Sequence, residues 1–131
     1  INAVNCLDVA DSSDLSVYEQ RAQKFSAQAP IFGRFLAWAG LTCGHWPIPA
    51  TGHPGKVTAA GSAPIVVVGT TRDPATPYEW SERLEKQLEN GRLVSYDGDG
   101  HTAYGRGSEC VDSAIDSYLL EGKNLPEKTT C

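Results

Sequence analysis

Residues 64–69, Pro-Ile-Val-Val-Val-Gly, form a continuous run of β-branched side chains with a breaker at each end. Branching at Cβ stiffens χ1 and suits a pleated surface, and a run that is apolar at every position has no face left for solvent. It predicts a strand buried on both sides, which occurs where helices cover both faces of a parallel sheet. A helix should follow, because Thr76-Pro77-Tyr78-Glu79 reads as a capping box with proline at the first helical position. Trp80, Leu84 and Leu88 then recur every four residues until Asn90-Gly91 ends the segment. Arg92 to Tyr96 predicts a second, short strand, and 97–107 a glycine-rich loop. The last helix is expected over Ser108 to Glu121, with Val111, Ala114, Ile115, Tyr118 and Leu119 on one face, a stop at Gly122, and a tail beyond. Strand, helix, strand and helix with short connections imply right-handed crossovers and an α/β fold with a parallel sheet. Two strands buried on both faces need neighbours, so residues 64–131 read as the end of something larger.

Upstream, the pattern changes. Leu15, Tyr18, Ala22, Phe25 and Ala29 fall at spacings of three and four behind Asp11-Ser12-Ser13-Asp14, which predicts a capped amphipathic helix over 12–29. A shorter helix is expected to open at Pro30 and run through Phe32, Phe35 and Leu36 to Gly40. Residues 47–63 are rich in Pro, Gly, Thr and Ala without a period and read as a connecting loop. The organisation expected is therefore a helical segment over 1–46, a loop over 47–63 and an α/β segment over 64–131.

Four dispersed cysteines, Cys6, Cys43, Cys110 and Cys131, form no C-x-x-C pair, which argues for disulfides and against a zinc ribbon or a dithiol redox site. Three connectivities exist, and Cys6–Cys43 with Cys110–Cys131 is favoured because each closes a local loop around predicted helices. Each would stabilise by about 3 to 4 kcal/mol in the loop-entropy account. An oxidising, extracytoplasmic location, secreted or at the cell surface, is the expectation. The net charge of −5 with no basic cluster gives no footprint for nucleic acid, and no run reaches the length of a membrane span. The sequence contains no methionine and opens without a signal-peptide pattern, so either something upstream has been removed or it is a cut piece of a longer polypeptide.

Functional groups in an open parallel sheet gather at the carboxyl ends of the strands. Here those ends carry Gly69 to Pro77 and Asp97 to Gly105. If the strands are adjacent, Asp73 and His101 leave the same edge and can meet. A carboxylate beside an imidazole fixes the tautomer and stabilises the imidazolium formed when the other ring nitrogen takes a proton from a nucleophile. No G-x-S-x-G elbow occurs anywhere in the 131 residues, so the third member of such a triad is not supplied by that route.

Thr70-Thr71-Arg72-Asp73-Pro74-Ala75-Thr76-Pro77-Tyr78, followed by Gly98-Asp99-Gly100-His101-Thr102-Ala103-Tyr104-Gly105, resembles the acid and histidine segments of secreted bacterial tripeptidyl aminopeptidases. The similarity continues through Cys110-Val111 to Cys131, and Asn5-Cys6-Leu7-Asp8 and Cys43-Gly44-His45-Trp46-Pro47 resemble the stretch leaving the lid of those enzymes. The resemblance implies a partial α/β-hydrolase fold, the last strand-helix units of a parallel sheet preceded by lid-derived helices. It makes Asp73 the triad acid and His101 the general base, with the serine, the oxyanion hole and most of the sheet upstream. The complete protein would release short peptides from a free N-terminus without a cofactor, and this chain alone would be inactive for want of a nucleophile. Its upstream polypeptide would be its main partner, and open sheet edges would favour self-association.

Blander readings exist for each feature. Asp73 before Pro74 is also a common turn starter. Asp97-Gly98-Asp99-Gly100 lacks the glutamate of a calcium loop, finding Ser108 there instead, and Cys43, His45 and His53 fit no zinc spacing, so no metal site is expected. Trp38, Trp46 and Trp80 read as packing, and Glu82, Arg83, Glu85 and Lys86 as a solvated helix face. The competing functions are a non-catalytic, disulfide-stapled binding module and an esterase or lipase of the same fold.

Overall fold

The structure, a computed structural model, describes residues 1–131, which divide into two compact units, 1–55 and 56–131. The 47–63 stretch is shared between them. In the first unit the amides of Thr51 and Gly52 both bond the Leu7 carbonyl, at 2.9 and 2.8 Å. In the second the Thr58 carbonyl accepts from the Glu89 amide at 2.8 Å.

The first unit is helical: α1 (Asn2–Asp8), α2 (Leu15–Gln28), α3 (Gly33–Leu36) and α4 (Leu41–Gly44). Asp14 caps α2 by accepting from the Ser16 amide at 2.9 Å, which satisfies one of the free donors of the first turn. Tyr18 on α2 is fully buried, stacked on Trp38 with ring centroids 5.7 Å apart, and its hydroxyl bonds the Ser12 carbonyl at 2.5 Å. A disulfide joins Cys6 of α1 to Cys43 of α4. Two expectations are corrected here. The second helix does not open at Pro30: residues 30–32 turn, α3 is one turn long, and Gly40 precedes α4 rather than following a longer helix. Helix α1 was not expected: it is only seven residues long, and Cys6 is its one buried residue.

The second unit is a three-stranded sheet in the order β1-β2-β3, with β1 at Ile65–Arg72, β2 at Gly91–Asp99 and β3 at Lys128–Thr130. Both pairings are parallel, and the crossovers are α5 (Tyr78–Gln87) and α6 (Glu109–Glu121). This is the parallel α/β arrangement expected, with a helix between each pair of successive strands. Alternate residues serve opposite faces: Val67, Leu88 and Leu93 form one cluster, and Val94, Ala103, Val111 and Ile115 the other. Gly69 lets α5 approach β1, because a Cβ there would stand 2.8 Å from the Ser81 Cβ. Ser108 caps α6 through the Val111 amide, and Gly122 ends it in the left-handed region at φ 65°.

The strands run further than the apolar pattern suggested, and the expected tail ends in a short strand. β3 is polar and three residues long; it is held by the Leu93 amide bonding the Glu127 carbonyl at 2.8 Å, the Cys131 amide bonding the Ser95 carbonyl at 2.7 Å, and the Cys110–Cys131 disulfide. The capping box at the head of α5 is also corrected. Pro77 precedes the helix, no side chain caps it, and the Thr76 hydroxyl is used elsewhere. Trp80 and Leu84 lie exposed, while Tyr78 of α5 and Leu88 just past its end join the cluster against the sheet. No helix is long and apolar enough to cross a membrane.

Candidate active site

The parallel pairing of β1 with β2 puts the loops that leave their carboxyl ends side by side. Asp73 is the first residue beyond β1 and His101 the second beyond β2. Their side chains meet: His101 Nδ1 lies 2.9 Å from Asp73 Oδ2 and 3.1 Å from Oδ1. An ionised carboxylate can only accept, so the proton of this bond sits on Nδ1, and in the neutral imidazole Nε2 keeps its lone pair. Nε2 makes no hydrogen bond within the chain, and the imidazole is 52% exposed while the Asp73 side chain is 4% exposed.

Asp73 is anchored from its own loop and from the histidine loop. Oδ1 accepts from the amides of Ala75 and Thr76 at 2.8 and 2.9 Å, and Oδ2 from the Thr76 hydroxyl at 2.8 Å and the Thr102 amide at 3.2 Å. Burial alone would push this carboxyl up, but the bonds from the Thr76 amide, His101, the Ala75 amide and the Thr76 hydroxyl outweigh it. They hold Asp73 well below the usual carboxylate range, so it stays ionised and acceptor-only.

The histidine loop is fixed on both sides of His101. Gly100 adopts φ 106°, open to glycine, and Thr102 adopts φ 68°, a strained value for a β-branched residue that its amide bond to Asp73 helps to hold. Ala103 is buried against Val94, Val111 and Ile115. The Gly105 amide bonds Asp112 at 2.8 Å and the Tyr104 hydroxyl bonds Asp116 at 2.7 Å, which ties the loop to α6. An opening of about 380 Å³ beside His101 is lined by Tyr96, Asp99, Gly100, Thr102 and Arg106. No serine is among its lining residues.

The other singled-out residues sit elsewhere. Cys43 is bonded to Cys6 and so offers no thiolate to accompany His45 and His53, and Cys110 is bonded to Cys131. Asp97 and Asp99 both accept from Arg72, whose guanidinium stands where a cation would be needed. Sequence reasoning missed Thr76, Thr102 and Arg72 as members of the site. For Thr76 a signal existed, the Asp-x-x-Thr spacing from Asp73, but the same threonine also begins a capping-box pattern.

Comparison with known proteins adds three observations. A family profile described as TAP-like protein matches residues 29–131. Carboxylesterase B and serine protease Hip1 of Mycobacterium tuberculosis are each 39% identical, over 99% and 98% of this chain. Tripeptidyl aminopeptidase of Streptomyces lividans is 28% identical over 98% of it. In each case the match covers only 24 to 25% of the relative, so the chain spans about a quarter of their length.

Proposed function

The chain belongs to the TAP-like family of α/β-hydrolases, and from that membership we propose that it supplies the acid, Asp73, and the general base, His101, of a serine hydrolase. The observation that carries this reading is the 2.9 Å bond between Asp73 Oδ2 and His101 Nδ1, with Nε2 left free. The serine comes from polypeptide outside these residues, because no G-x-S-x-G elbow lies within them. Residues 1–46 are the part that derives from the lid, and 64–131 the part that derives from the sheet. Two disulfides fit an oxidising, extracytoplasmic location.

In this mechanism the serine hydroxyl attacks the substrate carbonyl as its proton passes to Nε2. Asp73, kept ionised by its own loop, stabilises the imidazolium and holds the ring so that Nε2 faces the reacting atoms. Collapse of the tetrahedral intermediate passes that proton to the leaving amine and leaves an acyl-serine. Water then repeats the sequence and releases the acid. The substrate proposed is a peptide with a free N-terminus, as the name of the Streptomyces relative suggests. An ester substrate is the second reading, favoured by the 39% identity to a protein named carboxylesterase.

Fluorophosphonate labelling, with tripeptidyl-anilide and p-nitrophenyl ester hydrolysis alongside, tests the proposal on the longer polypeptide, on its His101→Ala variant and on this chain alone. Labelling and turnover in the first, with loss of about 10² to 10⁴ in the variant and none from the chain, is expected. The ratio of anilide to ester turnover separates peptidase from esterase. Activity indifferent to His101 would favour a non-catalytic binding module.

A further inference from the structure

Arg72, the residue before Asp73, is tied to the residues just before His101. Its Nη1 donates to Asp97 Oδ1 at 2.6 Å, its Nε to Asp99 Oδ1 at 2.8 Å and its Nη2 to Asp99 Oδ2 at 3.4 Å. Its carbonyl accepts from the Gly100 amide at 3.4 Å. These bonds lie at a break in the ladder. Thr70 of β1 is opposite Tyr96 of β2, but Arg72 is opposite Asp99, so Asp97 and Gly98 together face Thr71 alone. The Thr71 hydroxyl fills this bulge, accepting from the Gly98 amide at 3.2 Å and donating to Asp97 at 3.1 Å.

A β-bulge re-aims the side chains that follow it. Without this one, Arg72 would lie opposite Gly98, and the histidine loop would meet the acid loop one residue out of step. Across the bulge two carboxylates, Asp97 and Asp99, meet one cation. The planar fork of an arginine reaches both carboxylates with separate N–H groups, which a lysine ammonium does with less directional control.

We propose that Arg72 is a positioning residue: its guanidinium, forked between Asp97 and Asp99, holds the β2 bulge and so sets the register at which His101 meets Asp73. The inference rests on reading Asp73 and His101 as acid and base. The pairs are open to solvent, with side chains 52%, 70% and 82% exposed for Arg72, Asp97 and Asp99, so they stabilise the fold little. What they control is alignment. The charged and titratable groups facing His101 are Asp73 from the acid loop and Asp99, Arg106 and Tyr96 around the opening, with Arg72 and Asp97 behind Asp99.

The test compares Arg72→Ala and Arg72→Lys with the parent, in this chain and in the longer hydrolase. In the chain, NMR follows the Nδ1 proton of His101, identified by its loss in His101→Ala. Its solvent exchange should quicken about tenfold or more in Arg72→Ala, with thermal stability little changed. In the longer protein kcat should fall about 10- to 100-fold with KM nearly constant. The acid limb of its pH profile should move up in Arg72→Ala, where the two aspartates lose their cation, and stay in place in Arg72→Lys, which keeps the charge but not the fork. Should Arg72→Ala not fold, Arg72→Lys carries the comparison through exchange and kcat. An unchanged Nδ1 proton in these variants overturns the proposal whatever the activity. A responsive Nδ1 proton in a longer protein without hydrolase activity supports the positioning role and sinks the hydrolase reading instead.

Discussion

Thr76 donates its hydroxyl to Asp73 Oδ2 at 2.8 Å instead of capping the helix that starts two residues later at Tyr78. The first turn of α5 forgoes a side-chain cap, and the carboxylate gains a donor from its own loop. Because the Thr76 amide also bonds Oδ1, one residue orients both oxygens. The carboxylate plane is thus fixed from its own loop, independently of the bond to His101.

Removing the hydroxyl alone should therefore loosen Asp73 without neutralising it. In Thr76→Val both amide bonds to Oδ1 persist, and if the longer polypeptide is the hydrolase proposed, its kcat/KM should fall about 3- to 10-fold, the scale of one lost hydrogen bond. Thr76→Ser should stay near the parent value. Steady-state kinetics on both variants checks this, and a loss in Thr76→Ser with Thr76→Val unaffected would show that the methyl group, not the hydroxyl, matters.

The pH dependence of stability has a definite sign. The folded-state pKa of Asp73 lies below its ordinary value of 3.8, so the folded chain binds this proton less readily than the unfolded one. Its stabilising contribution is complete above 3.8 and is lost as the pH falls through 3.8 toward the folded-state value. Thermal unfolding of the parent and of Asp73→Asn should differ by a constant amount above about pH 5 and converge in stronger acid. A gap that widens on acidification would contradict the assignment.

What could be read in advance was what depends on near neighbours in sequence. The β-branched run of β1 and the Gly122 stop of α6 are local signals, and the parallel sheet followed from the order of the elements. Asp73 and His101 were placed at one edge by that topology, but their contact spans 28 positions, and the donors that fix it come from both loops. No local pattern encodes the bulge opposite Thr71 either, since it exists only where two strands pair. β3 escaped notice because Lys128-Thr129-Thr130 has neither apolar alternation nor length, and it is a strand because of what β2 and Cys110 offer it.

Burial divides the side chains of the second unit sharply. Leu93 is 2% exposed, packed with Val67 and Leu88, and Leu93→Ala should cost about 3 kcal/mol through lost transfer energy and a residual cavity. Trp80 is 57% exposed on α5, and Trp80→Ala in this chain should stay within about 0.5 kcal/mol. Urea unfolding of the two variants tests the contrast. A large loss at Trp80 would mean that α5 is packed more deeply than its exposure indicates.

The second disulfide bears on the site as well as on stability. Cys110 stands in the first turn of α6, directly after the histidine loop, and Cys131 follows β3, so the bond fastens the outer strand to the helix that carries Asp112 and Asp116, the anchors of that loop. It closes a loop of 21 residues, and removing it in Cys110→Ser/Cys131→Ser should cost about 3 kcal/mol, mostly through the unfolded chain. For a unit of this size that lowers the melting temperature on the order of 10 to 20 °C. The loss should be uneven. Amides bonded across β2 and β3, Leu93 and Cys131, should exchange faster, whereas those paired between β1 and β2 should remain protected up to global unfolding. Hydrogen exchange of the double variant distinguishes this from a uniform loss, which would mean that β3 and the rest of the sheet open as one cooperative unit.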